Sequence, residues 1–176
     1  MPNYSIVQCS YERHGAQILE ILNEAIETST ALYDYKPRSM ENMVAWFAAK
    51  SAGNFPVIGL EVEPGELLGF ASFGTFRAFP AYKYTAEHSI YVHKDHRGHG
   101  YANILLTEII ASAKRSDLHV LIGAIDAANS ASIALHEKFG FKHVGTLPQV
   151  GFKFGDWLDL ALYQLIFDTP AKPTDG

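Results

Sequence analysis

The sequence has a single cysteine and no long apolar run, and both features limit the classes of protein to which the chain can belong. One cysteine, Cys9, excludes an internal disulfide and suits a reducing compartment, so we expect a cytoplasmic protein. No apolar run approaches the roughly 20 residues of a membrane-spanning helix, and the N-terminus has no basic segment followed by an apolar one. We therefore expect no membrane partner.

Basic residues are also sparse. The chain has 14 Lys and Arg against 19 Asp and Glu, a net charge of −5, and no basic cluster, which argues against nucleic acid as a partner. With 176 residues, 48% of them hydrophobic, the chain suits one globular domain. We expect that domain over residues 1–168 and a frayed tail over 169–176, with no repeat and no internal linker.

Periodicity predicts strands and helices in mixed order. Helices are predicted around Ile18–Ile26, after an N-cap at Ser39, after the glycines near residue 100, and between an N-cap at Asn129 and a stop at Gly140. Strands are predicted over residues 4–9, 55–62, 67–76, 88–92, 119–125, 141–144 and 158–167. A turn at Glu63–Glu66 joins two of them, and residues 76–84 form a loop. This order indicates an α/β protein with a mixed sheet and helices on both faces.

The segment Arg97-Gly98-His99-Gly100-Tyr101-Ala102 is the most informative part of the chain. Its two glycines permit a tight turn and a close approach to a bound group. The helix that follows has apolar residues at i, i+3, i+4, i+7, i+8 and i+11 from Ala102, and its first N–H groups have no helical partner. Such a helix start binds anions, usually phosphate, and Arg97 adds a positive charge. The alternative is an ordinary glycine-rich turn.

The chain resembles the GNAT N-acetyltransferases. Arg97–Ala102 matches their acetyl-CoA pyrophosphate loop, Arg-x-x-Gly-x-Ala, and Asn129–Phe141 resembles their second signature, an Asn-led helix closing on Gly-Phe. Residues 85–92 resemble the strand before the loop in the amino-acid branch, which includes the phosphinothricin and methionine sulfoximine or sulfone acetyltransferases. The resemblance covers about residues 5–168.

The resemblance implies a fold, a co-substrate and its binding residues. The fold is a mostly antiparallel sheet that splays between the two motif strands, with helices on both faces. The co-substrate is acetyl-CoA, and no metal is implied. The residues expected to bind it are Tyr91, Val92, His93, Lys94, Arg97, Gly98, His99, Gly100, Tyr101, Ala102, Asn103, Asn129 and Ser132.

Two catalytic residues are expected. Acetyl transfer needs a neutral amine, and because most amino groups are protonated at pH 7, a base must remove a proton. Glu87 occupies the position of the base proposed for the phosphinothricin branch; the alternative is a salt bridge. His136 stands where many family members place a Tyr that protonates the leaving thiolate. It can act as that acid, bind the cofactor by a hydrogen bond, or only fill space.

The substrate implied by the resemblance is a small amino acid. Arg77 is the expected clamp for its carboxylate, because guanidinium binds carboxylate through two hydrogen bonds. The residues expected around the substrate are Tyr33, Arg77, Phe79, Pro80, Ala81, Glu87, Ser89, Ile90 and Tyr91. Members of this branch are typically homodimers, and residues 33–35 or 151–154 are candidates to reach the partner's site; simple packing is the alternative.

The sequence also permits alternative interpretations of its histidines and of its function. His93, His96 and His99 are regularly spaced, but without a supporting carboxylate cluster they favour solvent-facing loop residues over a metal site. A non-catalytic CoA-binding module would keep the loop without turnover, and a protein N-terminal acetyltransferase would keep the chemistry. The sequence does not choose among methionine sulfoximine, methionine sulfone and phosphinothricin, nor between detoxification and metabolism.

Overall fold

The computed structural model describes residues 3–63 and 65–176; Pro64, in the predicted turn, lies outside them. The described residues form four α-helices and seven β-strands. In chain order these are β1 (Ser5–Gln8), α1 (Tyr11–Thr28), α2 (Met40–Ala52), β2 (Val57–Glu63), β3 (Glu66–Thr75), β4 (Thr85–Val92), α3 (Tyr101–Arg115), β5 (Val120–Asp126), α4 (Ser130–Lys138), β6 (Lys142–Lys153) and β7 (Asp156–Ile166). Of these helices, none is long and apolar enough to cross a membrane.

The strands form one mixed sheet in the order β1-β2-β3-β4-β5-β7-β6. Pairing is antiparallel between β1 and β2, β2 and β3, β5 and β7, and β6 and β7, and parallel between β4 and β5. The predicted mixed, mostly antiparallel sheet is therefore confirmed. The β4–β5 ladder covers only Thr85–His88 and Val120–Gly123, although β4 continues to Val92 and β5 pairs with β7 as far as Asp126.

Side-chain caps fix where the helices begin. Ser39 and Asn42 form a capping box at the start of α2, each bonding the other's backbone N–H. Asn129 caps α4 through its Oδ1, which accepts from the Ser132 N–H at 3.1 Å. Gly140 follows that helix with a φ of +87°, the left-handed conformation that ends many helices. Both predicted caps and the glycine stop are confirmed.

Backbone contacts divide the chain into two compact units. The first runs to Phe73 and includes Ser89–Ile109; its buried cluster comprises Cys9, Ile18, Ile21, Leu22, Met43, Val57, Leu67 and Phe70. The second comprises Gly74–His88 and Ile110–Gly176, with Leu121, Phe141 and Ala161 buried within it. The prediction of one domain over residues 1–168 stays a prediction.

Hydrogen bonds to the buried Glu61 carboxylate organise the first unit. The Glu61 carboxylate in β2 accepts two hydrogen bonds from the Arg13 guanidinium at 2.9 and 3.2 Å, and one from the Gly65 N–H at 2.6 Å. His14 Nδ1 accepts from the Ser10 N–H, so its Nε2–H donates to Glu61 at 3.2 Å. The Gly65 hydrogen bond, helped by His14 and Arg13, lowers the pKa of Glu61 although burial opposes the change. This network joins α1 to the β2–β3 hairpin.

Strand β6 is much longer than the predicted segment 141–144. It continues to Lys153 through two register shifts, at His143/Gly145 and Leu147/Gly151, and Gln149 adopts a φ of +56°. Bulges let an edge strand pass a proline such as Pro148 without breaking its pairing. The tail after β7 also has contacts, because the Thr169 hydroxyl donates to Leu118 O and the Thr174 N–H donates to the Tyr84 hydroxyl at 3.1 Å. Its predicted fraying stays a prediction.

Candidate active site

The glycine turn before α3 has the geometry of an anion site. Gly98 and Gly100 have φ values of +79° and +82°, and a Cβ at either position would meet nothing within 4 Å. The backbone conformation, not lack of space, therefore requires glycine here. Among the described residues, the N–H groups of residues 98–102 donate to no backbone or side-chain acceptor. These donors at the start of a helix can bind a phosphate group.

Arg97 is held beside this turn by α1. Its Nε donates to Val92 O at 3.2 Å, and both terminal nitrogens bond the Glu24 carboxylate. Burial alone would raise the pKa of Glu24, but the hydrogen bonds from Arg97 and Thr28 and the nearby positive charges bring it below its ordinary value. No local sequence pattern pairs Glu24 with Arg97, because 73 positions separate them. The ion pair orients the Arg97 side chain next to the glycine turn.

The histidines near the turn face carboxylates. His93 Nε2 lies 3.6 Å from Glu20, and His96 Nε2 lies 3.8 Å from Glu66. His99 stacks on Tyr101 with ring centroids 5.9 Å apart. In residues 3–63 and 65–176, no group of three or more His, Cys, Asp or Glu side chains is arranged to hold a metal ion. Lys94 lies in the short 3-10 helix Lys94–His96 that precedes the turn.

The C-terminal half of β4 sits close against β3. A Cβ on Gly69 would lie 2.6 Å from Tyr91 O and 3.0 Å from Val92 Cα, so a side chain at Gly69 would displace the end of β4. The His93 N–H donates to Leu68 O at 2.8 Å, and the Tyr91 ring packs 5.5 Å from Phe70. A glycine inside a strand signals such a close approach, and that signal was available in the sequence. Ser89 and Ile90 precede this end of the strand and are half-buried.

In the second unit, β4 places two adjacent titratable residues on opposite faces. His88 is buried and Glu87 is exposed, as strand alternation requires. Glu87 forms no ion pair or hydrogen bond with another described residue, so the salt bridge considered from the sequence is not present among them. Partial burial nevertheless raises the pKa of the Glu87 carboxyl. A carboxylate with a raised pKa and no partner can accept a proton.

Both ring nitrogens of His136 have partners inside the protein. Its Nδ1 lies 2.7 Å from Ser132 O and its Nε2 lies 2.9 Å from His88 Nε2. The ring of Phe141 packs 5.1 Å from that of His136. Burial lowers the pKa of His136, and the hydrogen bond to Ser132 O opposes the change. No local sequence pattern links His88 to His136, because 48 positions separate them.

The start of α4 places Asn129 and Ser132 together. Asn129 is half-buried; its Oδ1 accepts the cap bond from Ser132 N–H, which leaves its side-chain NH₂ group as a potential donor. The Ser132 Oγ lies 3.5 Å from His136 Nδ1. The structure thus brings three of the predicted residues into one short chain of contacts.

The segment between β3 and β4 presents its side chains outward. Arg77 is exposed, stacks 5.5 Å over Phe76, and has no carboxylate partner among the described residues. Phe79 is 72% exposed and precedes the short 3-10 helix Pro80–Tyr82, which contains Ala81. Tyr33 is half-buried in the segment between α1 and α2. The predicted substrate residues therefore lie on several separate segments.

Comparison with known proteins identifies the family. The sequence profile of the acetyltransferase (GNAT) family matches residues 17–141. An L-methionine sulfoximine/L-methionine sulfone acetyltransferase from Pseudomonas paraeruginosa is 43% identical over 151 residues, which cover 86% of this chain and 88% of that protein.

Solved structures of similar proteins support the same family. A structure from Acinetobacter baylyi ADP1 is 59% identical, with a TM-score of 0.98 and coverage of 100% of this chain and 98% of that chain. A GNAT superfamily phosphinothricin acetyltransferase from Sinorhizobium meliloti, in complex with acetyl-CoA, is 31% identical. The TM-score is 0.92, and the match covers 100% of this chain and 95% of that chain. Together with the glycine turn, these matches show that the chain belongs to the GNAT family of acetyltransferases.

Proposed function

We propose that this chain is an acetyl-CoA-dependent N-acetyltransferase that acetylates the α-amino group of a small amino acid such as L-methionine sulfoximine or L-methionine sulfone. The glycine turn at the start of α3 is the observation that carries the proposal, because a GNAT protein uses that turn for its co-substrate. The substrate class rests on the name of the Pseudomonas paraeruginosa relative. Phosphinothricin, named for the Sinorhizobium meliloti relative, is the second substrate to test.

The glycine turn supports binding of the acetyl-CoA pyrophosphate. Residues 98–102 offer N–H groups without acceptors among the described residues, at the positive end of the α3 dipole. Arg97 adds a guanidinium whose position is set by Glu24 and Val92 O. The remaining predicted cofactor residues, Tyr91–Lys94, Asn103, Asn129 and Ser132, are proposed to contact other parts of the molecule.

Glu87 is the proposed general base for direct attack of the amine on the thioester. The ammonium group of the substrate gives one proton to Glu87, and the neutral nitrogen then bonds to the acetyl carbon while the carbon–sulfur bond breaks. The second proton that the nitrogen loses ends on the leaving CoA thiolate. The raised pKa of Glu87 supports this role, because a base acts best when its pKa approaches the working pH.

For His136, only a restricted acid role is compatible with its contacts. Its Nε2 is bonded to His88 and its Nδ1 to Ser132 O, so a proton given to the thiolate would have to leave one of these two hydrogen bonds.

Arg77 is proposed to bind the substrate carboxylate. Its guanidinium has no carboxylate partner among the described residues and lies over the Phe76 ring, 5.5 Å from its centroid. A charged, planar fork that lacks an anion is suited to bind one through two hydrogen bonds. Phe79 and Tyr82 are exposed on the same segment and are proposed to pack against the substrate side chain.

A homodimer is proposed from the β6–β7 hairpin. This hairpin exposes a set of large apolar side chains that water does not favour: Val150 at 54%, Phe152 at 45%, Phe154 at 58% and Trp157 at 63% exposure. Exposed apolar patches of this kind mark interaction surfaces. The segment 151–154 is proposed to be buried against a second copy.

A thiol-release assay with acetyl-CoA and a panel of amines tests the proposal. Release of CoA with methionine sulfone and methionine sulfoximine, but not with their methyl esters, is the expected result. Release only with peptides would instead identify a protein N-terminal acetyltransferase. Tight acetyl-CoA binding with no release on any amine would identify a non-catalytic CoA-binding module.

A further inference from the structure

The His88–His136 pair contains one more hydrogen bond than two neutral imidazoles can supply. His88 Nδ1 lies 2.9 Å from Ile122 O, the two Nε2 atoms lie 2.9 Å apart, and His136 Nδ1 lies 2.7 Å from Ser132 O. A carbonyl oxygen only accepts, so each Nδ1 must carry a hydrogen, and the contact between the Nε2 atoms needs a third. Two neutral rings carry two N–H groups in total. Three are needed, which gives the pair one positive charge.

Every neutral arrangement leaves one contact without a hydrogen. Either a ring nitrogen lone pair faces a carbonyl oxygen, or the two Nε2 lone pairs face each other. Both rings are buried, with His88 7% and His136 5% exposed, so water does not relieve such a contact. We propose that His88 and His136 form a buried proton-binding site that takes up one proton in common, with His88 as the positioning residue that fixes a hydrogen on His136 Nε2. This proton-binding site belongs to the free protein and does not depend on acetyl transfer.

The surroundings fit a site for one proton and exclude a second. Gly123 leaves room for the pair, because a Cβ there would lie 3.1 Å from both rings. Phe141 packs against both, 5.4 Å from His88 and 5.1 Å from His136. Burial and the neighbouring charge of His136 lower the pKa of His88 to about 3, so the doubly charged pair does not form at moderate pH.

In the part of the chain that the structure describes, no ion pair compensates the charge of this site. The titratable groups on the elements that carry or contact the rings are Glu87 and Tyr91 in β4, Asp126 in β5, and Glu137 and Lys138 in α4. Among the described residues, none of them forms an ion pair with either ring. Glu87 faces the other side of β4, Asp126 accepts from the Ala128 N–H, and Glu137 accepts from the Tyr163 hydroxyl at 3.4 Å. The hydrogen bonds to Ile122 O and Ser132 O therefore favour the shared proton against burial.

The position of Ser132 indicates which hydrogen leaves when the charged His88–His136 pair loses a proton. Its Oγ lies 3.5 Å from His136 Nδ1 and can turn its hydrogen toward that nitrogen once it is deprotonated. Ile122 is apolar and has no hydroxyl that could replace the His88 hydrogen. Deprotonation thus occurs at His136 Nδ1, while the Nε2 hydrogen stays shared with His88.

Ring ¹⁵N NMR of the full chain without acetyl-CoA tests the proposal, with His136→Gln used for assignment. From about pH 8 to about pH 4, one shared titration step of one proton is expected for the two rings together. Two independent steps, or two rings that stay neutral down to pH 4, would overturn the shared site.

Variants test the assigned roles. Ser132→Ala removes the donor that stabilises the neutral pair, so the midpoint of the shared step should rise, whereas Ser130→Ala on the same helix should not move it. His88→Phe should lower the midpoint of His136, and His143→Gln, at an exposed ring bonded to Thr146, is the matched control. An unchanged or lowered midpoint in Ser132→Ala contradicts the route through Nδ1. If His88→Phe does not fold, the number of protons taken up by the wild type and the midpoint in Ser132→Ala still test the shared proton site.

Discussion

Substituting Gly100 should weaken acetyl-CoA binding through backbone strain alone. Gly100 has a φ of +82° and open space where a Cβ would stand, so no steric clash contributes. The left-handed conformation costs an L-residue roughly 1–2 kcal/mol. If binding requires that conformation, Gly100→Ala should raise the dissociation constant about 5- to 30-fold, because 1.4 kcal/mol corresponds to tenfold. Gly100→Val, which is β-branched, should raise it at least tenfold.

Titration calorimetry with acetyl-CoA measures the effect, and two glycines provide matched controls. Gly145 has an ordinary φ and open space, so Gly145→Ala should change neither the fold nor binding. Gly65 has a φ of +97° and open space, so Gly65→Val should introduce similar strain and reduce stability without weakening binding. Unchanged acetyl-CoA affinity in a folded Gly100→Val variant would refute the assignment of the glycine turn as the pyrophosphate site.

Three further substitutions follow from the described contacts. Glu87→Gln should lower kcat/KM about 100-fold or more at pH 7, with a smaller loss as pH approaches the pKa of the amine; a flat, small deficit from pH 7 to 9.5 would leave Glu87 without a base role. Arg77→Ala should raise KM for amino acids by tenfold or more and leave the poor ester substrates nearly unchanged, since only the acids use its hydrogen bonds. Glu61→Gln should destabilise the fold by about 1.5–3 kcal/mol in urea unfolding at pH 7, whereas exposed Glu27→Gln should change it by less than about 0.5 kcal/mol. Because the folded pKa of Glu61 is lowered, its contribution is present above the unfolded value near 4.3 and disappears as pH falls through the folded pKa, so wild type and Glu61→Gln should converge in acid.

Local signals in the sequence predicted the parts of the fold that depend on neighbouring residues. Ser39 and Asn129 cap helices through bonds three residues away, and Gly98 and Gly100 turn the backbone by their own conformation. These features need no knowledge of tertiary structure, and each could be recognised from residue type and spacing.

The features that could not be predicted from the sequence depend on contacts between distant segments. The His88–His136 and Glu24–Arg97 contacts join residues 48 and 73 positions apart, and no local pattern specifies such pairs. The length of β6 was underestimated for another reason. Gly145 and Pro148 are typical of turns, but in the folded chain they lie at bulges that β7 supports through pairing on either side.

Acetyl transfer to methionine sulfone is the most direct test of the proposed enzyme. The purified chain is incubated with acetyl-CoA carrying ¹³C in its acetyl group and with L-methionine sulfone, and the products are analysed by mass spectrometry. One labelled acetyl group on the amino acid nitrogen for each CoA thiol released is the predicted result. Acetyl-CoA that binds but stays intact, or CoA released without an acetylated amino acid, would contradict it.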